Sequence, residues 1–81
     1  MRVLFSRHAR RRMRLYDIEE TDIQDTLASF SPEDFQEGKA IVVKDMRPKY
    51  KYPIKVVARM EGDALLVITA YPFIKGRRGG N

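Results

Sequence analysis

The sequence predicts an α+β domain, with two N-terminal helices packed on one face of a three- to four-stranded antiparallel sheet. Three observations predict it. Between residues 9 and 30 apolar side chains recur at i, i+4 and i+7, the spacing of a helix with one buried stripe. After Gly38 the period changes to two and β-branched residues become frequent. Helices come first and strands last, an order that segregates the two layers instead of alternating them.

Ser6 opens the first helix, its hydroxyl placed to accept from a backbone N–H two or three residues on. Ala9, Met13 and Tyr16 form the buried stripe of a helix over residues 7–16, and five of those ten residues are arginine. The second helix covers residues 20–30, with Ile23, Leu27 and Phe30 as its stripe and either Thr21 or Glu19 at its start. Acidic residues in its first turn suit the positive end of the helix dipole. Ser31-Pro32 ends it, because proline cannot continue a helix interior, and residues 31–34 read as a turn.

A short edge strand is expected near Phe35-Gln36. Ala40–Lys44 is a strand bounded by Gly38 and Pro48. Residues 54–60 alternate, with Ile54, Val56, Ala58 and Met60 on one side and Lys55, Val57 and Arg59 on the other. Glu61-Gly62-Asp63 is a hairpin turn. Ala64–Tyr71 is the most apolar strand, hence central or covered, and Pro72 ends it. Residues 1–75 therefore form one domain, and residues 76–81, which lack apolar anchors, a flexible tail.

With 81 residues and no cysteine, the chain is too short for a second, cofactor-binding domain and has no thiolate chemistry. No apolar run approaches a membrane span, and the three apolar residues Val3-Leu4-Phe5 make no leader. The first helix has little apolar bulk for a membrane surface. These features point to a cytoplasmic protein that takes no cofactor. A single histidine argues against a transition-metal site.

The net charge of +5 hides a segregation. Residues 1–16 hold six arginines and no acid, residues 17–37 eight acids and no base, and residues 38–60 seven bases against Asp45. Either the blocks form separate basic and acidic faces, or charge pairs across the seam of the two helices. A basic surface favours an anionic partner, nucleic acid first.

Three groups can carry chemistry. His8 is the default general acid or base, since histidine alone has an unperturbed pKa near neutrality, and it shares a helix face with Arg11 or Arg12 and with Leu15. The alternative is a half-buried histidine that closes a hydrogen bond near the helix start. Lys55 and Arg59 share a sheet face to which a neighbouring strand brings Thr69 or Tyr71, a set suited to clamping a phosphate. The alternative there is an ordinary solvated sheet face. The segment Arg47–Pro53 interleaves bases with aromatics, and either stacks nucleobases or folds its tyrosines onto the sheet.

Ser6-Arg7-His8-Ala9-Arg10-Arg11-Arg12-Met13 resembles the HAxxRM opening of a bacterial family of small uncharacterised domains. Ile18, Glu19-Glu20 and the closing Val67-Ile68-Thr69-Ala70-Tyr71-Pro72 extend the likeness over residues 4–72. That family is similar in layout to the RelE/ParE and BrnT toxins. The resemblance implies a metal-independent ribonuclease that an antitoxin protein silences. It matches His8 and Arg12 to the helix motif, and Thr69 and Tyr71 to the last strand. Tyr16 stands where the family often has another arginine, so no role for that arginine transfers. RelE-like folds also include gyrase poisons and inactive members.

The expectation is therefore a toxin-like ribonuclease in which a ribose 2′-hydroxyl attacks the adjacent phosphate. His8, Tyr71 and Arg59 are its catalytic candidates, and Arg7, Arg11, Arg12, Lys55 and Thr69 its RNA contacts. The rival is a non-catalytic module that binds nucleic acid or protein.

Overall fold

The structure, a computed structural model, describes residues 2–30 and 35–74. Its elements in chain order are β1 (Arg2–Phe5), α1 (Arg7–Tyr16), α2 (Glu20–Ala28), β2 (Phe35–Gln36), β3 (Lys39–Lys44), β4 (Ile54–Glu61) and β5 (Ala64–Pro72). The expected α+β layering holds, with both helices on one face of the sheet. The sheet itself differs from the expectation. It has five strands in the order β1-β5-β4-β3-β2, and it is mixed, because β1 runs parallel to β5. Arg2–Phe5 is too short for its period to be read from sequence, and it finds its place by lying beside the apolar β5.

Ser6 caps α1 as expected. Its Oγ accepts from the Ala9 N–H at 3.0 Å. The same hydroxyl donates to the Ile68 carbonyl at 3.0 Å, while the Ser6 N–H donates to the Val67 carbonyl at 3.0 Å. Those two carbonyls flank an irregularity in β5: Ala58 pairs with Val67 and Val57 with Thr69, which leaves Ile68 as an extra residue. Ser6 thus ties the start of α1 to the β5 bulge. At the other end Asp17 adopts the left-handed conformation (φ 60°), and Ile18 N–H reaches back to the Met13 carbonyl at 2.8 Å. This is a Schellman closure, with buried Ile18 as its apolar contact.

For α2 the N-cap is Glu19, not Thr21, and no side chain on the helix caps it. Tyr50, from the loop between β3 and β4, fills that place. Its Oη accepts from the Glu19 N–H at 3.0 Å and donates to the Asp22 carboxylate. The turn expected at residues 31–34 and the tail at 76–81 lie outside the described residues. The edge strand is present as β2. It joins β3 through Glu37-Gly38, both at positive φ (54° and 81°), where glycine carries no steric penalty. Pro72 is the last residue of β5, as expected.

Ala9, Met13, Ile18, Ile23 and Leu27 from the helical layer meet Ile54, Val56, Ala58, Leu65, Val67 and Ala70 from the sheet. Val3, Phe5 and Val42 pack on this core, so β1 and β3 turn the same face inward. Alternation then sends Lys55, Val57, Arg59, Leu66, Thr69 and Tyr71 to the opposite face, which no described helix covers.

Candidate nucleic-acid interface

The strand registers set out the helix-free face as a grid. Lys55 pairs with Tyr71 on one side and Val43 on the other. Val57 pairs with Thr69 and Ile41, and Arg59 with Leu66 and Lys39. Four of the expected site residues, Lys55, Arg59, Thr69 and Tyr71, therefore come together. Lys55 is half-buried, and its Nζ lies 5.9 Å from the Tyr71 ring centroid and 5.5 Å from that of Phe73. Sequence reading missed Phe73 because it stopped at Pro72, although a count of two from Tyr71 reaches it.

The electrostatics of this face are uneven. Arg59 Nε meets Glu61 Oε1 at 3.3 Å, an exposed pair that offsets part of its charge. Lys55 and Lys39 make no ion pair among the described residues. Lys39 stands directly across from Arg59, and like charges so placed destabilise a sheet.

His8, Arg7, Arg11 and Arg12 lie elsewhere. They belong to α1, whose buried residues Ala9 and Met13 face the other side of the sheet. All four are exposed, and none forms an ion pair with a described residue. The half-buried, hydrogen-bonded histidine is not what forms: His8 is exposed and bonds to no described group. On the helix Arg11 and Arg12 stand one turn from it. Among the described residues Arg10 is the one arginine of this helix that is engaged, pairing with Glu20 across the helical seam and lying 5.2 Å over the Phe5 ring. The expected site residues thus form two cationic surfaces on opposite layers.

Tyr50 and Lys49 of the aromatic-basic loop fold back, but their polar contacts are to the start of α2 and not, as expected of the tyrosines, to the sheet. Lys49 Nζ lies 3.1 Å from Glu19 Oε1 and 2.9 Å from Asp22 Oδ2. Hydrogen bonds from Lys49 and then Tyr50 hold the Asp22 carboxyl below its ordinary value. Asp22, followed by Glu19, pushes the Lys49 ammonium above its own. Burial, reinforced by Asp22, raises the Tyr50 phenol. Arg47 is held by Asp45, whereas Tyr52 stays exposed. Of the acidic block, this loop thus engages Glu19 and Asp22 at the start of α2.

A cavity of about 520 Å³ opens between α2 and β1, lined by Val3, Gln24, Leu27, Ala28, Phe30 and Leu65. It holds none of the expected site residues. Among the described residues no cluster of three histidine, cysteine or acidic side chains can hold a metal ion, and no helix is long and apolar enough to cross a membrane.

Residues 5–72 match the family model described as Domain of unknown function (DUF4258). Neither a curated protein nor a solved structure gives a significant match.

Proposed function

The chain belongs to the DUF4258 family, whose description assigns no activity, and from its surface we propose an RNA-binding domain that receives a single strand on the helix-free sheet face. The observation that carries this reading is the convergence of Lys55, Arg59, Thr69 and Tyr71 on one uncovered face, with Lys55 against two rings. Single-strand sites combine cations that track the backbone with aromatic faces that stack bases. Lys55, Arg59 and Lys39 supply the first, and Tyr71 and Phe73 the second. The Thr69 hydroxyl, between them in register, offers a hydrogen bond to a ribose.

The test is binding of a labelled single-stranded RNA by the pure protein over a range of salt. Three phosphate contacts predict a log–log slope of about −2, and Lys55→Ala reduces it by about 0.7. A flat salt response, or wild-type binding by both Lys55→Ala and Tyr71→Ala, overturns the reading.

The narrower reading is cleavage, as in the toxins that the sequence resembles. It is favoured by the exposure of His8 one helical turn from Arg11 and Arg12. A ribose 2′-hydroxyl gives up its proton, attacks the adjacent phosphorus and expels the 5′-oxygen, which takes a proton. The products are a 2′,3′-cyclic phosphate and a 5′-hydroxyl. His8 moves the proton if RNA crosses α1. Tyr71 does so, with Arg59 on the phosphate, if it crosses the sheet. Loss of product in His8→Ala or in Tyr71→Phe decides between them, and product from both variants removes both assignments. An antitoxin protein that covers the active surface belongs to the same reading, and growth arrest on induction of the chain alone is its expected outcome.

A further inference from the structure

The two edges of the sheet are protected differently. β2 is only two residues long and offers little to pair with. β1 exposes four residues, Arg2-Val3-Leu4-Phe5, with no proline, lysine or bulge to turn a neighbouring strand away. Around Leu4 both sides of this edge are apolar, with the exposed Arg2 at its start. On the helix-free face Leu4 is 40% exposed, beside half-buried Leu66. On the helix side Val3 borders the cavity with Leu27, Ala28, Phe30 and Leu65. A strand added here must be apolar on both of its faces, and β1 of a second copy is such a strand.

Symmetry and alternation select the register. A two-fold axis normal to the sheet keeps both helical layers on one side, so paired residues must share a face. Centring on Leu4 sets Leu4 against Leu4 and Val3 against Phe5, which brings each Phe5 ring to the mouth of the cavity. Centring on Val3 sets Arg2 against Leu4 instead, which mismatches charge and apolar surface. In the Leu4 register Arg2 faces Ser6 of the other copy, and Arg7 of that copy follows beside the β4–β5 hairpin. That hairpin carries Glu61 and Asp63, and the Asp63 side chain is 91% exposed, with Arg2 at 3.6 Å. The incoming strand lies two spacings, about 9.6 Å, from β5. An extended arginine and an aspartate span that gap together, and symmetry repeats the contact at the other end. The acidic hairpin thus complements the basic start of α1 twice.

We propose that β1 is a self-association edge, through which two copies pair β1 to β1, antiparallel and centred on Leu4, to make one ten-stranded sheet from two five-stranded ones. Sedimentation equilibrium of the full chain, with amide hydrogen exchange, tests this. A concentration-dependent dimer is expected, with exchange in Arg2–Phe5 slowing as it forms. Leu4→Lys places two ammonium groups face to face on the axis and weakens the dimer at least about tenfold. Val43→Lys, on the same face but on β3, leaves it unchanged. Asp63→Arg weakens it, and Arg7→Glu added to Asp63→Arg restores it. Should Leu4→Lys fail to fold by circular dichroism, the Asp63 and Arg7 pair carries the test. A chain that stays monomeric throughout, a dimer that Val43→Lys breaks and Leu4→Lys spares, or a charge swap that restores nothing overturns the proposal.

Discussion

Ser6 combines two jobs that one hydroxyl can do at once. It accepts from Ala9 N–H, which satisfies an orphan donor of α1, and donates to the Ile68 carbonyl at the β5 bulge. Loss of a cap alone costs about 1 kcal/mol. Ser6→Ala also strips a partner from a part-buried carbonyl, so about 2 kcal/mol is expected in urea melts. The cap was legible because it depends on neighbours in sequence. The second bond spans sixty-two positions and was not. Asp17 offers the opposite case. Its φ of 60° closes α1, and an L side chain is strained there. Asp17→Gly is expected to raise stability by about 0.5 kcal/mol, and a higher urea midpoint at unchanged slope is its signature.

At the scale of elements, the loop between β3 and β4 acts as the missing cap of α2, through Tyr50 and Lys49. The Asp22 carboxyl, held below its ordinary value, contributes stability above the ordinary carboxylate pKa and loses it as pH falls through the lowered one. Lys49 and Tyr50, both raised, contribute below their ordinary pKa values and lose it as pH rises through the raised ones. The latch therefore loosens at both ends of the pH scale. Tyr50→Phe is expected to cost about 1 kcal/mol at neutral pH, roughly 4–8 °C in melting temperature. Its gap from the wild type should narrow on acidification below about pH 4, when the wild type loses the Asp22 carboxylate as well. A gap constant down to pH 2 would contradict the Tyr50–Asp22 bond as its source. Most elements were legible, because the periods of α1, α2 and β4 are long enough to count and β5 is a continuous apolar run. The strand β1 was not, since four residues show no period and its partner β5 is some sixty positions away.

At the scale of the molecule, the layers divide what the sequence treated as one basic surface. Alternation on β4 was enough to put Lys55 and Arg59 together, yet nothing local says which face α1 covers. Packing decides that: Ala9 and Met13 bury against the same face as Val56 and Ala58, and the arginines of α1 are left on the far side from Lys55. The helix carries its charge at a loss of stability. Arg7 and Arg11 stand at i, i+4, as do Arg10 and Arg14, with no acid in the first turn to favour the dipole. Arg11→Glu is thus expected to stabilise the fold by a few tenths of a kcal/mol, since it relieves one repulsion and sets a carboxylate next to Arg7. Its effect on RNA locates the working surface. A strand confined to the sheet face leaves Arg11→Glu with wild-type affinity and salt slope, while Lys55→Ala weakens binding and reduces the slope by about 0.7. A strand that crosses α1 reverses the pattern, with Arg11→Glu weakening binding and reducing the slope by about 0.7. A short oligonucleotide cannot satisfy both layers, whereas a long one can wrap. The same pair of variants measured on a short and a long RNA therefore distinguishes one site from two. If both variants weaken the long RNA but only Lys55→Ala weakens the short one, α1 is a second, auxiliary track for phosphates and the sheet face is the primary site.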